Sequence, residues 1–158
     1  MSIDPDHFRA ILGRFATGVT IVTIRDRHGR DHGMTVTAFS SLSLSPPLVL
    51  VCIDNNATMA GDMTQAESFT VNILSESQEP LSRRFAGLID DRFAGLPITR
   101  GHLGNVVLSD VLAALECRIV ARHPSGDHFI VIGEVEHGAI GDDRPLVYYR
   151  GGYTQLDR

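Results

Sequence analysis

Apolar residues in this chain gather in short runs broken by glycine, proline and small polar residues, a pattern that predicts strands more often than helices. One exception stands at the start. Asp4-Pro5 reads as an N-cap followed by proline in the first helical turn, and Phe8, Ile11, Leu12 and Phe15 then recur at i, i+3, i+4 and i+7. A short amphipathic helix is predicted there, ended by Gly18. Val19 to Ile24 follows as a β-branched strand, and the polar turn Asp26-Arg27-His28-Gly29 leads into a second strand, Gly33 to Ala38. Leu48 to Ile53 is apolar throughout, which predicts a strand covered on both faces.

Asn56 is placed to cap a second helix, Ala57 to Ala66, with Met59 and Met63 one turn apart on its inner side. Phe69 to Leu74 is the next strand. Ser75 or Ser77 caps a third helix that runs through Leu81-Ser82-Arg83-Arg84-Phe85-Ala86 to Gly87. Residues 88–105 are polar, contain glycine and lack a clear period, so a long loop of the kind that serves as a functional lid is expected. Leu115 to Ala121 and Phe129 to Val135 read as strands joined at residues 122–128, and Pro145 to Tyr149 is a last short strand before Arg150-Gly151-Gly152-Tyr153. Many short strands and few helices argue for a mainly β barrel or sandwich rather than a doubly wound sheet. No repeat or linker divides residues 1–158, so a single domain is expected.

Composition narrows the classes. A 43% hydrophobic and 21% charged chain is ordinary for a soluble protein, and a net charge of −5 with no basic run argues against a nucleic-acid partner. No apolar stretch is long enough for a bilayer and the N-terminus is too acidic for a signal peptide, so the cytoplasm is expected. Cys52 and Cys117 sit far apart in apolar runs and read as buried free thiols. The seven histidines show no metal-ligand spacing, and no GxGxxG, Walker or GxSxG element is present, so no metal site, Rossmann fold, P-loop or hydrolase elbow is expected.

Candidate chemistry concentrates in Gly33 to Pro47, GMTVTAFSSLSLSPP, where a β-branched strand breaks into a run of small hydroxyl residues. Small side chains let a ligand approach the backbone, and hydroxyls with free N–H groups can hold a phosphate or the polar edge of a ring. The longer string GMTVTAFSSLSLSPPLVLVCID resembles the flavin-binding segment of the short-chain flavin reductases, the reductase components of two-component monooxygenases. Three later elements extend the resemblance in the same order: Arg83-Arg84-Phe85-Ala86-Gly87, Gly126-Asp127-His128, and Tyr148-Tyr149-Arg150-Gly151-Gly152-Tyr153.

The resemblance implies an FMN-binding split β-barrel of Greek-key type with a few short peripheral helices, working as a homodimer. It implies a flavin, FMN or FAD, reduced by NADH or NADPH and supplied to a flavin-dependent monooxygenase. The flavin ring would lie against Thr35-Val36-Thr37-Ala38, whose backbone N–H groups face its pyrimidine edge, while Ser40 and Ser41 take the ribityl and phosphate end. Asn55 and Thr58 would add donors at the start of the second helix, where plain capping is their other role. One of Arg83 and Arg84, beside Phe85, would meet the phosphate. Gly126 and Asp127 would border the nicotinamide, with His128 donating a hydrogen bond close to the hydride-transfer step, and Tyr149 would stack on a ligand ring. Two other readings are a pyridoxamine-phosphate-oxidase-type flavoenzyme and a non-catalytic flavin-binding protein. The first needs a spare basic cluster that this lysine-free sequence lacks, and the second needs no nicotinamide element.

Overall fold

The computed structural model describes residues 1–157. Helix α1 (Pro5–Leu12) precedes strands β1 (Thr17–Gly18), β2 (Thr20–Arg25), β3 (Asp31–Val36), β4 (Phe39–Ser43) and β5 (Leu48–Asp54). A one-turn helix, α2 (Ala60–Met63), leads to β6 (Ser68–Ile73), a 3-10 turn (Glu76–Gln78) and α3 (Glu79–Ala86). The chain ends with β7 (Ile98–Arg100), β8 (Val106–Leu108), the long hairpin β9 (Ala113–Ser125) and β10 (His128–Ile140), and then β11 (Val147–Tyr149) and β12 (Gly152–Thr154).

Seven antiparallel strands form one sheet in the order β3-β2-β6-β9-β10-β5-β4. Its two edges, β3 and β4, are separated in sequence by only Thr37 and Ala38. That link spans at most about 11 Å, so the edges must come together and the sheet curls into a barrel. No ladder joins β3 to β4, and the barrel is split along this seam.

Two apolar clusters hold the fold. Val22, Ile24, Val51, Ile53, Phe69, Val71 and Val131 fill the barrel, with Met59 and Met63 closing it on the inner side of α2. Val19, Ile21, Leu74, Phe85, Val106 and Leu108 pack the outer face of β2 against α3 and β8. Strands β2 and β6, with runs of consecutive buried residues, are therefore the ones covered on both faces. In β5 only Val49, Val51 and Ile53 are buried, alternating with half-buried Leu48, Leu50 and Cys52, because an antiparallel barrel strand turns one face inward.

Several other expectations are corrected. The second helix shrinks to α2 because Asp54 accepts the Asn56 N–H and the Ala57 N–H bonds back to the Asp54 carbonyl, which spends residues 54–57 on a turn. Residues 88–105 carry β7 and several anchoring bonds and are not a free loop. Strands β9 and β10 pair up to Ser125 and His128, so their connection is two residues rather than seven. No residue of α1 is buried, and its apolar stripe faces away from the chain's own core. Ser75 caps the third helical segment, its N–H donating to the Gln78 side chain at 3.0 Å. Cys117 is a buried free thiol, pushed up to about 12 by burial and by the neighbouring Glu116 carboxylate, whereas Cys52 is free but only half-buried.

Candidate functional site

The barrel seam leaves donors unspent. The Thr37 carbonyl accepts the Phe39 N–H at 2.9 Å and the Ala38 carbonyl accepts the Cys52 N–H at 3.0 Å. The N–H groups of Thr37 and Ala38 themselves meet no protein acceptor among the described residues, and Ala38 is exposed. Unpaired backbone donors demand water or a ligand. Val36 supplies only its backbone here, since its side chain is in the core and its carbonyl accepts Thr20 Oγ1 at 2.6 Å. Ser40 and Ser41 lie exposed on β4, with Ser40 Oγ donating to the Ser41 carbonyl at 2.8 Å.

Thr35 ties this seam to α3, its Oγ1 donating to the Ser82 carbonyl at 2.6 Å. The two arginines that follow have different work. Arg84 donates to the carbonyls of Arg92 and Ala94 at 2.7 and 2.6 Å, and Arg92 donates to those of Gly33 and Gly87 at 2.6 and 2.7 Å. Together they lash the segment after α3 onto β3. Phe85 is fully buried against Phe93, edge to face at 5.1 Å, and offers no surface to a ligand. It fits because position 33 is glycine: a Cβ there would stand 2.8 Å from the Phe85 ring.

Arg83 stays at the surface. Its Nε and Nη2 donate to Glu79 Oε1 at 2.9 and 2.8 Å, its guanidinium carbon lies 4.8 Å from the centre of the Tyr153 ring, and Nη1 has no partner among the described residues. Ser82, which the sequence marked only as part of a helix, joins this cluster with Tyr148 and Tyr153 of the C-terminal motif, while Tyr149, the expected stacking residue of that motif, remains outside it. Alternation along β11 was the available signal, because Tyr148 and Tyr149 face opposite sides of the strand.

The tip of the β9–β10 hairpin forms a second group. The Asn55 N–H donates to the Asp127 carbonyl at 2.9 Å and Asn55 Nδ2 to the Gly126 carbonyl at 3.4 Å, while His128 sits opposite Asp54 of β5. His128 Nδ1 is 2.6 Å from Asp127 Oδ1, and this bond holds the Asp127 carboxyl below its usual range. A carboxylate only accepts, so the proton is on Nδ1 and a neutral His128 presents Nε2 as an acceptor. In that tautomer Nε2 can only accept, and it becomes a donor only when the ring carries a second proton. Asn55 stands five residues and Thr58 two before a helix of only four residues, too short to add a useful terminus, so what they offer is their side-chain donors.

A cleft of about 270 Å³ brings Thr58 together with Gly33 and residues 88–93. A larger cavity of about 660 Å³ lies under the β2–β3 turn, among Arg25, Arg27, Gln65 and Asn105, and includes none of the predicted site residues. Asp26, His32 and Asp62 converge beside it. Four N–H donors, from the His28 and Arg30 backbones and the Arg30 and His32 side chains, already occupy the Asp26 oxygens, which leaves that carboxylate no lone pair for a cation.

Residues 12–157 match a family profile described as a flavin reductase like domain. A flavin reductase of Pseudomonas putida is 40% identical over 96% of this chain and 90% of its own length. The reductase subunit HsaB of a flavin-dependent monooxygenase from Rhodococcus jostii is 39% identical over 99% of this chain and 80% of its own. Among solved structures, the NADH:FAD oxidoreductase SgcE6 of Streptomyces globisporus, in complex with NAD and FAD fragments, superposes with a TM-score of 0.92 at 33% identity, covering 99% of this chain and 97% of that one. With sequence and fold agreeing over nearly the whole length, the chain belongs to the flavin reductase family of oxidoreductases.

Proposed function

We propose that this protein takes hydride from NADH onto FMN or FAD and passes the reduced flavin to a flavin-dependent monooxygenase, acting as a homodimer. The observation that carries the reading is the pair of unspent N–H donors at Thr37 and Ala38, on an open seam where a flat polar-edged ring can reach them. Flavin, when bound, supplies the two-electron acceptor. Reduction places negative charge on the pyrimidine edge, and fixed backbone donors stabilise such charge without reorganising. Ser40 and Ser41 continue this line toward the ribityl chain, and the free Nη1 of Arg83 suits a phosphate. Every donor in this set addresses the portion that FMN and FAD share, so both are accepted.

His128 and Asn55 line the other end. Their work is positioning, since hydride transfer needs two rings held face to face. The Nε2 lone pair of His128 is matched to a carboxamide N–H of nicotinamide, and Asp127 fixes the imidazole that presents it. The complex of the Streptomyces relative with NAD and FAD fragments supports NADH as the donor. A homodimer is supported by apolar surface that this chain does not cover, with Phe15 79%, Leu44 92% and Ile140 91% exposed.

The test is steady-state NADH oxidation at varied FMN and FAD. The expected result is NADH loss that saturates with added flavin. NADH loss independent of flavin at every concentration overturns the reading.

A further inference from the structure

Three distant parts of the sequence meet at Ser82. Its carbonyl accepts Thr35 Oγ1 from β3 at 2.6 Å, and its hydroxyl lies 2.7 Å from the Tyr153 hydroxyl in β12. The next residue, Arg83, carries its guanidinium over the face of that same tyrosine ring, 4.8 Å from the centroid. We propose that Tyr153 is a positioning residue that holds the Arg83 guanidinium ready for the flavin phosphate, so that the last strand of the chain sets how strongly phosphorylated flavins are preferred. The proposal rests on the reading of Arg83 as the phosphate contact.

An exposed arginine is a poor reader of phosphate unless something orders it, because its long side chain loses much rotamer freedom on binding. Here the ordering is already done. Glu79, one turn earlier on α3, takes the Nε and Nη2 edge through a single carboxylate oxygen. Tyr153 takes one face of the planar group, where a ring attracts a cation. What remains is the Nη1 corner and the opposite face. Removing either support returns the side chain to solvent, and the ordering cost then falls on ligand binding.

The tyrosine ring is itself fixed on three sides. Its hydroxyl is bonded to Ser82, and its edge meets Tyr148 at 5.4 Å and 66°. The third constraint is the hairpin between β11 and β12, which pairs Tyr148 with Tyr153 across the ladder. Its two central residues, Arg150 and Gly151, have φ of 51° and 76°, the left-handed pair that a two-residue hairpin of the I′ kind requires. A non-glycine residue at the first of these positions is disfavoured, yet the turn retains it, so the ladder register is held against a local preference. That register is what brings the Tyr153 ring under Arg83.

The experiment measures FMN and riboflavin dissociation constants by flavin fluorescence for the full chain and for Arg83→Ala, Tyr153→Leu, Tyr153→Phe and the Arg83→Ala/Tyr153→Leu double variant. Arg83→Ala is expected to weaken FMN about tenfold or more while riboflavin stays within about twofold. Tyr153→Leu is expected to weaken FMN about three- to tenfold and spare riboflavin, to be largely rescued by Tyr153→Phe, and to add nothing in the Arg83→Ala background. Replacing Tyr153 by phenylalanines of increasing ring fluorination, which weakens the ring face at nearly constant shape, is expected to lower FMN affinity stepwise. This series decides the matter if Tyr153→Leu does not fold. Equal losses for both flavins, a further loss in the Arg83→Ala background, or no response to fluorination overturns the positioning role. If Arg83→Ala itself leaves the FMN-to-riboflavin ratio unchanged, the phosphate reading of Arg83 is what fails.

Discussion

At Asp26 a single carboxylate organises a whole turn, accepting the His28 and Arg30 N–H groups on one oxygen and the Arg30 and His32 side chains on the other. The bond from His32 is the largest influence, and together these donors hold the Asp26 carboxyl well below the usual carboxylate range. A carboxyl depressed in the fold stabilises fully above the pKa of an unfolded aspartate, about 4, and that stability drains away as pH falls below it toward the folded value. Urea melts between about pH 6 and pH 2.5 are therefore expected to show a steeper acid loss for the native protein than for Asp26→Asn. Parallel curves would mean that the turn gains nothing from the charge. The same scale separates Arg83 from its neighbour, since one guanidinium stays at the surface against Glu79 and Tyr153 while the other is spent on loop carbonyls.

At the scale of elements, the segment after α3 illustrates how a glycine-containing polar stretch becomes ordered. Arg84 spans from the helix to the carbonyls of Arg92 and Ala94, and Arg92 returns to β3 through the Gly33 carbonyl. Phe93 then packs edge-on against Phe85. Arg84→Ala is expected to cost about 1.5–3 kcal/mol, the range for bonds to a charged group, and to raise amide hydrogen exchange across residues 88–96. FMN affinity should change little. A variant that binds FMN much more weakly but exchanges like the native protein would transfer the phosphate role from Arg83 to Arg84. Helix α1 presents the opposite case, well capped by Asp4 and Pro5 yet lying with its apolar stripe unburied.

For the whole molecule, that stripe is an expected part of the proposed homodimer. Phe8, Ile11 and Leu12 are about half exposed and Phe15 more so, and a second copy would pair identical patches about a two-fold axis. Because none of these residues is buried within one chain, Ile11→Asp with Phe15→Asp is expected to shift sedimentation toward monomer. Each substitution should alter monomer stability by less than about 0.5 kcal/mol. A dimer that survives both charges unchanged would show that the stripe covers something else. The barrel itself does not depend on this contact, since its closure follows from the two-residue link between β3 and β4 and its filling from Phe69, Val71, Val131 and their neighbours.

The sequence by itself determined most of the element types. Alternation, β-branched runs and turn residues located β2, β3, β5, β6 and the hairpin of β9 and β10, and capping residues located α1 and the 3-10 turn that leads into α3, because these signals act over a few residues. The motif around Thr35 to Ser41 and the Gly126-Asp127-His128 turn stood out through their resemblance to flavin reductases rather than through such local signals. Interior and exterior were less so. An all-apolar run such as Leu48 to Ile53 reads alike whether one face or both are covered, and only the closed sheet assigned the double cover to β2 and β6 instead. Likewise nothing local marked Phe85 as core, Arg84 as a loop anchor or Tyr153 as the ring beneath Arg83. Those roles come from the meeting of α3 with β3 and the β11–β12 hairpin, contacts between residues as far apart as Ser82 and Tyr153. Hydrogen-bond geometry across such distances is decided by tertiary packing, which also left the Thr37 and Ala38 donors free at the seam.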